Sequence, residues 1–183
     1  MKITVKTGLI FALVWIAFKM LFYLTGTLQA QVLPSVMLNI LCVLLAISVG
    51  LYKQKRQEAE HTSALHDIKN GMSAGVPYAV IVSCFLYFYY SSIDPEFNKH
   101  QIAEAEIGIE KMLSDSTQFE AIKLTRPEFE VMGKEEIFKE LIKGPRGFYK
   151  ASTTMTVSML ALLLLATINS IFVTIVYRKI VFR

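Results

Sequence analysis

An all-α polytopic membrane protein, four transmembrane helices with a helical extracytoplasmic loop between the third and fourth, is the fold class this sequence predicts. Three observations lead there. Of 183 residues, 54% are hydrophobic and the mean hydropathy is +0.46, too apolar for a soluble domain of this length. The apolar residues are gathered into four blocks, each near or above the ~20 residues that cross a hydrocarbon layer about 30 Å thick. Lys and Arg are scattered between those blocks, so the net charge of +4 and the pI near 9.0 fit membrane topology and not a nucleic-acid surface.

The first block runs from about Thr7 to Thr25. Its "MKITVK" lead and "GLIFALVWIAF" core have the character of a signal peptide. No small-x-small pair ends it, however, and Leu28 stands where a small residue would be needed before Ala30, so a retained helix is expected. The second block covers Val32 to Tyr52, the third Met72 to Ile93 and the fourth Ala151 to Tyr177. This divides the chain into 1–93 with three spans, 94–150 as the loop, and 151–183 as the last span with a basic tail.

Orientation follows from the charges outside the blocks. Lys2 and Lys6, then Lys53, Lys55, Arg56 and Lys69, then Arg178, Lys179 and Arg183 all fall on one side, whereas "GTLQAQ" carries no charge. Both termini and the middle link are therefore expected in the cytoplasm, for a multi-pass protein of a bacterial inner membrane. Lys139, Lys143, Arg146 and Lys150 run against this, but the 94–150 segment also carries twelve acids, and long mixed loops weigh little in the positive-inside rule. Phe22, Tyr23, Tyr87, Tyr89, Tyr90, Phe148 and Tyr149 mark the outer ends, and Tyr52 and Tyr177 the inner ones.

The third block closes on "YFYYSSIDPEF". Here Asp94 is expected to cap a new helix, with Pro95 at its first position and Glu96 against the positive helix start. Ile102, Ala105, Ile109 and Met112 or Leu113 carry a helical stripe from Pro95 to about Leu113. Ser116 or Thr117 is expected to cap the next turn, Pro127 and Gly133 to break it, and Ile137, Phe138, Leu141 and Ile142 to form a second amphipathic face. "GPRG", Gly144 to Gly147, is expected to be a turn back into lipid. A charged helical cover over the bundle is the simpler reading of this loop, and a partner-binding or ligand-binding module the alternative.

In its N-terminal "MKITVKTGLIFALVWIAFKMLFYLTG", its "HDIKNGMSAG", its "YSSIDPEF" and its final helix ending "YRKIVFR", the chain resembles the bacterial membrane proteins grouped as domain of unknown function 4199, found mainly in Bacteroidota. The Ile-Asp-Pro-Glu-Phe exit followed by an acidic helical segment is the most specific piece. The resemblance implies four membrane helices and an inner-membrane address. It brings no established activity, and so no catalytic or binding residue.

Two intramembrane features are candidates for a role. Gly71, Gly75, Ala79 and Ser83 repeat every four residues and lay a smooth stripe along the third helix, where another backbone can approach closely. Shorter versions are Gly8 with Ala12, Ala46 with Gly50, and Ala166 with Ser170. Pro77 bends this helix, and Ser73 or a neighbouring helix is expected to satisfy the carbonyl it frees. The second feature is Lys19, six residues before Thr25 and so roughly 9 Å below its helix end. Asp94 and Glu96 are its expected counter-charges, though a lysine at this depth also snorkels. Asn39, Thr167 and Asn169 add polarity at mid-depth, of the kind that glues helices together.

Other chemistry is not expected. Cys42 and Cys84 lie inside apolar blocks and are read as small buried hydrophobes. His61 and His66 stand more than about 100° apart around a helix and are read as solvated, without metal. Neither a phosphate-cradling glycine loop nor a nucleophile elbow is present, so no enzyme, cofactor or metal is expected. The expected partners are the lipid bilayer and other membrane subunits or a second copy, with no nucleic acid. The function expected is an accessory or scaffolding subunit of a membrane assembly, with a small transporter or an extracytoplasmic sensor as alternatives.

Overall fold

The structure, a computed structural model, describes residues 1–26, 32–58 and 63–181. The uncharged hairpin after Gly26 and His61 lie outside the described residues. Among those described, every regular element is helical: α1 (Ile3–Thr25), α2 (Val32–Gln57), α3 (Ala64–Phe88) with a π-helical turn (Tyr89–Ile93), α4 (Pro95–Ser114), α5 (Ser116–Thr125), a 3-10 turn (Pro127–Phe129), α6 (Lys134–Phe148), and α7 (Ala151–Val176) with a second π-helical turn (Tyr177–Val181). Four stretches, Ile3–Thr25, Leu33–Gln57, Ala64–Ile93 and Ala151–Ile180, are long and apolar enough to cross a membrane.

These helices outrun the apolar blocks that announce them. α1 begins at Ile3, α2 continues to Gln57, and α3 starts eight residues before Met72, at Ala64. Hydropathy marks only the part of a helix that lies in lipid, whereas the helix itself ends where its backbone hydrogen bonding ends. Ser63 supplies that boundary for α3, its hydroxyl accepting the amide of His66 at 3.2 Å.

The chain forms two compact units, 1–86 with 155–183, and 87–154. In the first, Ala12, Trp15, Val43, Ala46, Ile47, Leu51, Ala74, Tyr78, Ala79 and Val82 are buried, while Leu13, Met37, Leu164 and Phe172 are exposed. Small residues and a few large rings inside, with many large aliphatic and aromatic side chains outside, is the arrangement of a lipid-facing bundle, in which close packing and buried hydrogen bonds hold helices together. Among the described residues, side-chain hydrogen bonds cross between these helices. Trp15 donates its indole N–H to the Ser35 carbonyl (3.3 Å), and the Tyr78 hydroxyl donates to Asn39 Oδ1 (2.5 Å).

The second unit has its own core of Leu113, Phe129 and Ile137, joined by Ile109, Phe119, Ile122, Met132, Phe138 and Leu141. Asp94 caps α4 through the amide of Phe97 (3.2 Å), with Pro95 in the first turn. Two expectations need correction. The cap of α5 is Asp115, which accepts from the amides of Thr117 (2.9 Å) and Gln118 (3.4 Å). A carboxylate suits a positive helix end better than the hydroxyl of Ser116 or Thr117. "GPRG" is no turn but the last turn of α6. The clash that keeps the residue before a proline out of helical geometry involves that residue's Cβ, which Gly144 lacks. Arg146 then ties α6 to Glu106 of α4 at 2.7 Å.

Candidate functional site

Along α3 the backbone comes close to three other helices. A Cβ added at Gly8 would stand 2.2 Å from the Ala74 carbonyl oxygen, so α1 and α3 touch backbone to backbone. A Cβ at Gly71 would meet Ser170 Oγ at 2.9 Å, and one at Gly75 would meet the Ala166 Cβ at 2.6 Å. Gly50 of α2 faces the Ala74 methyl at 3.3 Å. Ala79 and Ser83 continue the buried face. The pairs Gly71 with Ser170 and Gly75 with Ala166 set an antiparallel register between α3 and α7. The Ser73 hydroxyl donates to the Lys69 carbonyl at 2.8 Å, and so does not serve the carbonyl that Pro77 frees.

At the end of this register stands the main concentration of charge in the first unit. Asp67, its side chain fully buried, receives Lys55 Nζ at 2.9 Å and Arg178 Nη1 at 2.9 Å. Each of the three comes from a helix end of matching polarity: Asp67 from the first turn of α3, Lys55 from the last turn of α2, and Arg178 from the turn that follows α7. The acid lies at a positive helix terminus and both cations at negative ones, so the macrodipoles add to the ion pairs. The Tyr177 hydroxyl fastens the same turn to the Ser48 carbonyl of α2 at 2.9 Å.

A second polar group adjoins the first, since Asn70 follows Asp67 by one turn. Glu58 accepts from Gln54 (2.9 Å) and Asn70 (3.2 Å), and its Oε1 lies 3.1 Å from His66 Nε2. Burial alone would raise its pKa, but the hydrogen bonds from Gln54, His66 and Asn70, with the charge of His66, outweigh that and hold the carboxyl below its ordinary value. His66 is therefore paired with a carboxylate rather than simply solvated. Elsewhere in the first unit, Thr4, Ser83, Ser170 and Thr174 have buried hydroxyls without a partner among the described residues.

Lys19 is half-buried on α1, in the first unit. Asp94 and Glu96 come together at the start of α4, in the second. There Asp94, 5% exposed, holds the α4 cap and accepts from the Tyr89 hydroxyl at 3.2 Å, and Glu96 pairs with Lys99 at 2.6 Å. A cleft of about 440 Å³ in the second unit has Leu113 and Phe138 in its wall and Glu110, Lys134, Glu135 and Lys139 at its rim.

Sequence reasoning missed Asp67 although "HDIKNG" was in view. Its partners stand 12 and 111 positions away, so no local pattern announces them. A signal existed nonetheless: the four-residue spacing of Gly71, Gly75, Ala79 and Ser83, carried one step back, lands on Asp67.

No curated protein and no solved structure matches the chain. The model of a family described as "Protein of unknown function (DUF4199)" matches residues 6–179, nearly the whole length. With its four apolar helices of membrane-spanning length, the chain is a membrane protein that belongs to this family.

Proposed function

We propose that this protein is an accessory or scaffolding subunit of a membrane protein assembly, without catalytic activity, set in a bacterial cytoplasmic membrane with both termini inside. The observation that carries the reading is the closeness of the helix backbones at Gly8, Gly71 and Gly75, where even one added methyl group would collide. A transport path needs space between helices that opens and closes, whereas these contacts are the most compact that helices can make. The buried Asp67 at the bundle end is engaged by Lys55 and Arg178, which suits a frame better than a conduit.

The second unit supplies a surface for partners. Leu124 and Val131 are 87% and 91% exposed, in a segment that also carries Lys123, Arg126 and Lys134. Exposed large apolar side chains of this kind suit a protein contact. The basic rim formed by Lys53, Lys55, Arg56, Lys69, Arg178 and Lys179 supports the orientation.

The test is purification of the full chain from its native membrane in mild detergent, with cross-linking and mass spectrometry. A defined partner is expected, and Leu124→Ser with Val131→Ser should release it while the thermal midpoint of the chain stays unchanged. A chain that migrates alone sinks the subunit reading. A proteoliposome flux that Lys19→Met abolishes would establish the transporter in its place.

A further inference from the structure

The bundle end that holds Asp67 carries a surplus of positive charge. The ion cluster brings together the end of α2, the start of α3 and the turn after α7. With them come Lys53, Lys55, Arg56, Lys69, Arg178 and Lys179, against two described acids, Glu58 and Asp67. Glu58 is engaged by Gln54, His66 and Asn70, and Asp67 is shared by two cations. Lys55 is nearly covered, its side chain 13% exposed, whereas that of Arg178 is 38% exposed and reaches the surface.

Beside the cations lies an aromatic pair. The rings of Tyr52 and Tyr177 meet edge to face at 6.3 Å, and the Arg56 guanidinium stands 5.8 Å from the centre of the Tyr52 ring. Ile175, 50% exposed, stands three residues before Arg178 on the side of the apolar span, so an exposed aliphatic side chain precedes the cation along this helix end. Cations, then tyrosines, then exposed aliphatic side chains is the order of groups met on passing from lipid phosphate to acyl chain.

We infer that this ledge, with Arg56 and Arg178 at its centre and Tyr52 and Tyr177 at its border, binds the phosphate headgroup of an anionic phospholipid. Guanidinium matches phosphate oxygens in a planar fork that an ammonium cannot offer. Basic pockets between membrane helices take acidic headgroups on the same principle. Asp67 sets the strength of the site, because it cancels one of the charges that would otherwise act on the lipid.

That last point makes the test specific. The full chain is incorporated into nanodiscs of phosphatidylglycerol and phosphatidylcholine in equal amounts, and lipids retained after release are counted by native mass spectrometry. Enrichment of phosphatidylglycerol is expected. Arg56→Gln should reduce it about fivefold, the effect of one cation near an anionic surface, and Asp67→Asn should raise it about fivefold. A purely structural ion pair gives no such increase. Should Asp67→Asn fail to fold, Arg56→Gln and the loss of enrichment between about 0.05 and 0.5 M salt decide the matter. Equal retention of the two lipids overturns the proposal, as does enrichment that Arg56→Gln leaves unchanged. Inorganic phosphate that binds the chain as well in pure phosphatidylcholine overturns the assignment to lipid.

Discussion

Asp67 illustrates how much one residue's meaning depends on distant ones. Alone it is an acid in a charged link, and in the fold it is a fully buried carboxylate between Lys55 and Arg178. Losing one partner of such a cluster costs about 3–5 kcal/mol where burial is complete, and less here because Arg178 keeps contact with its surroundings. Glu58, next to it, makes stability depend on pH. Its carboxyl titrates below the ordinary 4.5, so the unfolded chain takes up the proton first, and the stabilisation present at neutral pH is lost as the pH falls below 4.5. Unfolding midpoints in detergent, measured on a descending pH series, should fall in that window, and Glu58→Gln should flatten the fall. An equal slope in both proteins would remove Glu58 from the account.

For whole elements, the closeness of the neighbouring helix separates two kinds of glycine. Gly8→Ala puts a methyl group against the Ala74 backbone, which cannot give way as a side chain would, and a loss of about 1–3 kcal/mol is expected. Gly108→Ala, on the open face of α4, meets nothing within 4 Å and should gain about 0.5–1 kcal/mol from helix propensity. Equilibrium unfolding of both variants checks the pair, and equal effects would mean that the close approach of α1 and α3 does not limit stability. The apolar blocks, the cap at Asp94 and the break at Gly133 were legible in sequence, because hydropathy, capping and chain breaking are local. The polar first turns of α3, the helical "GPRG" and the ring of charge on Asp67 were not. Each is decided by backbone hydrogen bonding, by a missing Cβ or by a contact across the fold, and none leaves a mark on neighbouring residues.

Taken whole, the molecule has two cores of different kinds. One combines small residues at close helix contacts with buried Trp15, Tyr78, Ile47 and Leu51, and the other is built from Leu113, Phe129, Ile137 and their apolar neighbours. The second is an ordinary apolar core of the kind that water drives together. Because the first unit has a buried core of its own, replacing 99–143 with a short Gly-Ser linker should leave its helical content and detergent unfolding midpoint within a few degrees of the parent. Aggregation or loss of helix in 1–86 would show instead that its fold depends on the segment removed.

The distance along the chain between Asp67 and its two cations sets an order of assembly. Lys55 is already made when Asp67 leaves the ribosome, but Arg178 follows 111 residues later, which at 5–20 residues per second is roughly 6–20 s. Throughout that interval the groove at Gly71 and Gly75 is open and the carboxylate has one cation instead of two. A nascent chain is thus distinguishable from a finished one by a half-neutralised charge and an unfilled seam, and arrival of α7 closes both in a single step.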